Sequence, residues 1–572
     1  MSLYLTGESM ILLLALTFFG ILLSLIYGWM MEFILVKFFG FDNSHDLHFS
    51  ITILLGLAFL SGLLGIWSFY WGVSTRAVAF FSALAFLAII VIRKYAFVRL
   101  KTIYGQLSSL GPVSWLILTL FATYAFYFAA TATPIYDTGL YHAQTIHWIE
   151  FYHVVPGLAN LHTRLGFNST IFLLAAFFGF GWNFYQIAGL IIFVSMTIYC
   201  LTLIEKSRRN PAFSGIMSLG IFAFLLFDQR ALSWLASPTT DLPCAMVSWL
   251  IFLLAIDEIE SGHLPQLNLK TIAIIALSLF DVSIKLSSVP IILIAIYFLW
   301  KVQALFSVKR ALVLVAFSAV LFLPWIARNI VLTGYLIFPF SEFDIFSFDW
   351  KVSPEVVKDL ASAITSWGRA PYEDANLVMS LKLNEWLPGW YQTLPRNDLF
   401  LVNALLIGLF LIPVFAAIKK RVAKQIQANG LVYAVCFIGV VFWFVESPSP
   451  RFGYGFLVML LWLIYAPLAI SLLDSIKLSN KWFILLAQSL VVVCILNVLV
   501  QFPLNSWRHY LNTHKPYPAV ETNSVKLGDQ AVFLPVSGDQ CWYVAFPCAP
   551  SIVPGLRMRG TNIEDGFYVS EK

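Results

Sequence analysis

Charge is what this chain has least of. Lys, Arg, Asp and Glu together make up 11% of its 572 residues, against 60% hydrophobic and 16% aromatic. A soluble protein of this length needs far more charge to stay dispersed, so that class is excluded. The signatures of common soluble enzymes are missing too: no Gly-rich phosphate loop, no Cys-x-x-Cys pair, no Ser–His–Asp pattern and no internal repeat. The net charge of +5 is small, and its Lys and Arg sit in short loops, which gives no footing for nucleic acid. A cleavable signal peptide is not expected. The first apolar run starts near Met10 without a basic stretch before it and extends to about Phe39, too long for such a segment.

Apolar runs of helix-spanning length fill the chain instead. Helices are expected at 10–38, 49–72, 76–97, 113–133, 184–204, 212–230, 240–257, 271–286, 288–300, 310–327, 399–418, 430–446, 453–474 and 481–501. The fold class is thus an all-α polytopic membrane protein with about fourteen transmembrane helices. Basic residues cluster at Arg93–Lys101, Lys206–Arg209, Lys309–Arg310 and Lys419–Lys424. Alternating helices put all of these on one side, which is then the cytoplasm. Segment 169–181 is apolar but too short to span, and is expected to be re-entrant, interfacial or a bent extension of the next helix.

Four of the six cysteines lie in or beside apolar runs and read as small buried hydrophobes. Cys541 and Cys548 lie in a polar tail on the outer side, where a disulfide can persist.

The outer segment 134–168 carries Asp137, His142, His147, His153, His162, Glu150 and Arg164 among many aromatics. Its spacing suggests an amphipathic helix lying at headgroup level and broken at Pro156–Gly157. Other charges fall on the same rim: Asp241, Lys285, Arg328 and Arg451. Ionisable groups at a membrane are costly and mark function by default. Carboxylates serve as general bases or metal ligands, while Lys and Arg suit phosphate. Each has a plainer role as well. Asp241 could cap a helix, Lys285 could snorkel, Arg451 could meet lipid phosphate, and the histidines could be interfacial hydrogen-bonders. His142 and Glu150 are near enough in sequence to share a ligand, but their spacing fits no standard zinc motif.

These positions, in this order, resemble the GT-C membrane glycosyltransferases, which use polyprenyl- or dolichyl-phosphate sugars. The protein O-mannosyltransferases and the lipid A aminoarabinose transferase are among them. The residues that carry the resemblance are the early Asp137 after a membrane helix, Thr239–Pro243, Lys285 before Leu286 and Pro290, PWIARNIVLTGYLIFP at 324–339, and Arg451–Phe452. Together they cover about 113–475. The family's acidic pair is here Asp137–Thr138, so a second acid would come from Glu150 or Asp241.

The resemblance implies a GT-C-like bundle with amphipathic juxtamembrane helices in its first large outer loop. Residues 1–112 would be an N-terminal three-helix extension, and 113–340 the core with a catalytic loop at 134–168. An outer helical cap would span 341–398, C-terminal membrane helices 399–501, and an extracytoplasmic disulfide-pinned tail 502–572. It further implies a glycosyltransferase of class EC 2.4 in a bacterial inner membrane, with its site facing the periplasm. Asp137 would be the general base. Lys285, Arg451 and Arg328 would hold the donor phosphate, and Asp241, His142 and Glu150 would orient the acceptor. The partners would be a polyprenyl-phosphate-sugar donor, membrane lipid, and a lipid, glycan or protein acceptor. No cofactor is certain, and a divalent metal is left open. Alternatives from other classes are an outer-leaflet polysaccharide polymerase or ligase, with Arg369 and Arg396 as candidates in 328–398, and a lipid-linked glycan transporter. The latter calls for polar residues at mid-helix and a repeat between halves.

Overall fold

The computed structural model describes residues 10–41, 47–179, 181, 183–209, 212–261, 267–303, 307–475, 480–501, 517–543 and 546–570. Helix dominates because a chain in hydrocarbon must satisfy its backbone internally. Eight described helices are long and apolar enough to cross a membrane, or up to eleven if each of three bent pairs forms one span. The chain is a multi-pass α-helical membrane protein.

The chain begins with α1 (Met10–Phe39), α2 (Phe49–Trp67) and α3 (Thr75–Val91). Helix α3 turns by 90° into α4 (Arg93–Ser108). Helix α5 (Pro112–Ala129) carries proline in its first turn, where the missing N–H is no loss. Helices α1 and α2 approach so closely that a Cβ at Gly56 would lie 1.7 Å from the Ser24 carbonyl oxygen. Small residues permit such contacts between apolar helices. Both helices share one continuous apolar core with the central spans.

The outer loop follows. A five-residue π-helical turn, Thr138–His142, runs into α6 (Ala143–Phe151), then come α7 (Leu158–Leu161) and α8 (Thr170–Gly179). Every residue of α8 is buried, so this ten-residue apolar helix is enclosed by protein instead of lying against lipid. Helix α6 departs from the surface helix its aromatics suggest, because only Phe151 is exposed. The C-terminal tail packs on it.

The bundle continues with α9 (Ile187–Arg209), α10 (Phe213–Phe227), α11 (Gln229–Ser233), α12 (Asp241–Glu260) and α13 (Leu269–Ile284). Next are α14 (Ile292–Val302) and α15 (Val308–Thr333). Helix α12 is buried over 94% of its apolar window, whereas α15 is buried over 22%. A helix apolar all round belongs inside a bundle, and α12 sits there against α9, α13 and α22.

Segment 341–398 forms α16 (Pro354–Arg369), α17 (Ala375–Ser380) and α18 (Leu383–Thr393). Ser353 caps α16 by accepting from the Val356 N–H. Trp386 and Trp390 pack on Phe444, so neither faces lipid. The remaining helices are α19 (Arg396–Ile418), α20 (Lys420–Ala428), α21 (Gly430–Glu446), α22 (Pro450–Ser475) and α23 (Asn480–Gln501). In the tail, β1 (Thr522–Leu527) pairs antiparallel with β2 (Gln530–Pro535), and β3 (Leu556–Met558) with β4 (Phe567–Val569). A disulfide joins Cys541 to Cys548.

Candidate functional site

Asp137 stands where the chain leaves α5 and begins the π-helical turn. Thr138, beside it, exchanges a 2.6 Å hydrogen bond with Ser237, just before α12. That bond draws the Asp137 turn onto the start of α12, whose first residue is Asp241. A π-helical turn inside an otherwise α-helical path is a common feature of functional sites.

Two cations come from elsewhere. Lys285 follows the last residue of α13, in extended backbone ahead of a 3-10 turn spanning Leu286–Ile291. Its Nζ pairs with Asp241 Oδ1. Arg451 lies in the first turn of α22, with Nη2 3.3 Å from Asp137 Oδ2 and Nε 3.7 Å from Asp241 Oδ2. The Phe452 ring sits under both cations, 3.8 Å from Lys285 Nζ and 4.8 Å from Arg451 Cζ. The four charged groups balance.

Asp241, Lys285 and Arg451 line a pocket with Cys244, Ser248 and Ser288 in its wall, and Asp137 joins them through Arg451. Ser248 donates 2.6 Å to Asp281, a fully buried carboxyl on α13. Asp137, Lys285 and Arg451 keep side-chain exposures of 22%, 22% and 26%, whereas Asp241 keeps 7%. Three of the four are thus partly open, and Asp241, in the pocket wall, is held by Lys285 and Arg451.

The loop histidines do not converge. His142 is buried against Tyr141 and Phe172, and burial pushes its pKa down to about 4. It stands neutral near the pocket. His147 stacks on Tyr543 of the tail at 3.6 Å.

Two sequence expectations change. Glu150 is not an acidic partner for Asp137. It is buried and accepts from the Tyr185 hydroxyl at 3.0 Å and the Tyr543 hydroxyl at 3.3 Å, so it belongs to the contact between loop and tail. Burial raises its pKa to about 8. Nor does Arg328 join the pocket. Its Nε donates 3.0 Å to Asn168 Oδ1 and its Nη1 2.7 Å to Ser68. Asn168 in turn bonds the Trp325 carbonyl and the Asn329 side chain. The segment around 325–329 thus clamps the end of the outer loop. Arg369 lies over the Trp386 ring in the cap.

A metal does not fit this donor set. Asp137 and Asp241 are both engaged by cations. Among the described residues, no three His, Cys, Asp or Glu side chains come together as ligands.

Two features escape sequence reading. One is the tail, which roofs the loop. The Trp542 N–H donates to the Gly139 carbonyl at 2.9 Å. Gln144 grips the disulfide loop from both ends, donating to the Trp542 carbonyl at 3.0 Å and accepting from the Cys548 N–H at 3.1 Å. The other is a second charged network of Asp228, Arg230, Asp398 and Tyr454.

Neither a curated protein nor a solved structure matches the chain. A family model does match, over residues 10–458, which leaves the roofing tail outside it, and the chain therefore belongs to the family described as Domain of unknown function (DUF8201).

Proposed function

We propose that this protein is an inverting membrane glycosyltransferase of the GT-C type, working on a polyprenyl-phosphate-sugar donor. The observation that carries the reading is the meeting of Asp137, Asp241, Lys285 and Arg451, from four distant segments, in one ion-paired cluster beside a pocket that the last three line. In this reading the bundle has about fourteen spans in a bacterial inner membrane. The basic loops are cytoplasmic and the pocket opens on the periplasmic side.

The chemistry follows from the pairing. The Asp137 carboxylate takes the proton of an acceptor hydroxyl as its oxygen attacks the anomeric carbon. The anomeric carbon–oxygen bond to phosphate breaks, and polyprenyl phosphate leaves with the electron pair. Lys285 and Arg451 stabilise the charge that develops there. With no donor bound, Arg451 is shared between Asp137 and Asp241. An arriving phosphate competes for Arg451 and frees Asp137 as a base. Asp241 stays behind, holding Lys285 in place.

Asp137→Asn keeps the shape and removes the base. Transfer from a panel of labelled polyprenyl-phosphate sugars should fall about 10²–10⁴-fold, with donor affinity and melting temperature nearly unchanged. Full turnover by this variant would remove Asp137 from the role. Lys285→Met should lose donor affinity and turnover together.

A further inference from the structure

A second cavity, lined in part by α6, has a different electrostatic character. Thr145, Trp148, His153, Asn168 and Arg328 contribute its polar lining, and Val154, Leu158, Leu165 and Leu332 its apolar wall. Arg328 is 3% exposed. Its two hydrogen bonds go to neutral groups on Asn168 and Ser68, and among the described residues no carboxylate pairs with it. A buried guanidinium without a counter-charge carries a large desolvation cost. Nearby, Thr145 Oγ1 and Trp148 Nε1 are buried and have no hydrogen-bond partner among the described residues. A buried polar atom without a partner calls for an explanation, and an unseen water or ion is one of them.

The three observations point the same way. A cation lacking an anion and two donors lacking acceptors line one cavity, with no carboxylate in the lining. One buried water could accept from Thr145 and Trp148, but it would leave the guanidinium uncompensated. A phosphate supplies both the negative charge and several acceptor oxygens, and Arg is well matched to it. The apolar wall suits the start of an alkyl chain.

We infer that the Arg328 cavity is a second anion site, separate from the Asp137 pocket, which takes a phosphate group from a lipid headgroup or from free phosphate. It goes beyond the transferase reading and does not require it.

The test uses the full chain in neutral detergent, titrated with inorganic phosphate while melting is followed. A parallel arm uses phosphatidylcholine nanodiscs with and without phosphatidic acid, with bound lipid counted by native mass spectrometry. Phosphate or phosphatidic acid should stabilise the native protein saturably. A response to inorganic phosphate identifies the free ion as sufficient, and a response to phosphatidic acid alone identifies the headgroup. Thr145→Val removes a hydroxyl that the protein leaves unpartnered at nearly constant shape, and Trp148→Phe removes the indole N–H together with part of the ring packed on Phe546 and Phe567. Each should weaken the anion's apparent Kd about ten-fold or more. Arg328→Lys should weaken it further.

Three results would overturn the site: no response to either anion in the native chain, a response untouched by both Thr145→Val and Trp148→Phe, or a response lost in Lys285→Met but kept in Thr145→Val. The last would place the anion in the Asp137 pocket, so this inference would fail while the transferase reading gained. Conversely, a fully active Asp137→Asn enzyme would sink that reading and leave the Arg328 site standing.

Discussion

Helix α22 contributes to two charged clusters within its first two turns, and they are opposites in construction. Arg451 enters the first, where it spans Asp137 and Asp241 at 3.3 and 3.7 Å beside an open pocket. Tyr454 enters the second. There Arg230 grips Asp228 with Nε at 2.9 Å and Nη2 at 2.8 Å and reaches Asp398 at 3.2 Å. The Tyr454 hydroxyl lies 2.9 Å from Asp228 and 2.7 Å from Asp398, and Asn397 adds a further donor. Both clusters hold two carboxylates, an arginine and an aromatic ring. The second is closed, with Asp228 and Asp398 buried and met by donors from three residues. In the first, Arg451 is held loosely enough to be drawn off by a ligand. Charge at the end of a span is therefore not in itself a mark of function. The discriminating feature is slack at Arg451, meaning its contacts of 3.3 and 3.7 Å, a partly exposed Asp137 partner and a neighbouring cavity.

The strongest way to break that contrast is to remove one partner from each cluster. Asp228→Ala takes both close bonds from Arg230 and one of two from Tyr454, leaving each with Asp398. Losing these charge-assisted bonds at a buried site should cost about 1–3 kcal/mol, to be read as a drop in thermal or denaturant stability of the purified chain. Arg451→Gln should cost less, because its contacts are long and Asp241 keeps Lys285, while transfer collapses. A stable Asp228→Ala protein beside an unfolded Arg451→Gln protein would invert the comparison.

The open cluster was legible in the sequence because each member interrupts or ends an apolar run. Asp137, Asp241, Lys285 and Arg451 have few places to go but the rim, and span counting puts them on one side of it. The closed cluster was hidden by the same logic. Asp228 and Arg230 sit two residues apart at the end of an apolar run and look like its natural edge. Arg328 and Glu150 had the right residue types, but their partners could not be read. Arg328 meets Ser68 across 260 positions, and Glu150 meets Tyr543 across 393. The aromatic pattern of α6 suggested a surface helix because one-face periodicity assumes a single buried side. The tail buries the other, through Gln144 and Gly139, and neither residue signals such a contact by its type.

That roof offers a test of intermediate size. A Cβ at Gly139 would come within 2.5 Å of the Trp542 ring, and Trp542 is itself fixed by its N–H bond to Gly139 and by Gln144. Neither side can yield cheaply. Gly139→Ala should therefore destabilise by about 1–3 kcal/mol, the usual cost of overpacking. Proteolytic clipping of the tail should quicken in step. If the variant melts like the native chain and its tail stays protected, the tail does not press on the turn next to Asp137. The slack of the open cluster would then end at Arg451 instead of being bounded from behind.

The smallest effect is a pH limb, and it separates the roof from the pocket. Glu150 has its folded pKa raised to about 8 from an ordinary 4.5, chiefly by burial. A carboxyl shifted upwards stabilises the native state while it is protonated, so its contribution is complete below about pH 4.5 and is lost as pH rises to about 8. The buried histidines slope the other way. His142 has its pKa lowered to about 4, and His147 and His162 to about 3, each from 6.5, so their contribution is lost as pH falls below about 6.5. Glu150→Gln keeps a side-chain acceptor for Tyr185 and Tyr543 but cannot ionise. Melting curves of the native chain should decline between pH 6.5 and 8, where the histidines no longer contribute slope, and those of Glu150→Gln should be nearly flat there. Parallel declines in both would take Glu150 out of the latch. Because Asp137 and Arg451 are untouched, any pH dependence of transfer that survives in Glu150→Gln belongs to the pocket and not to its roof.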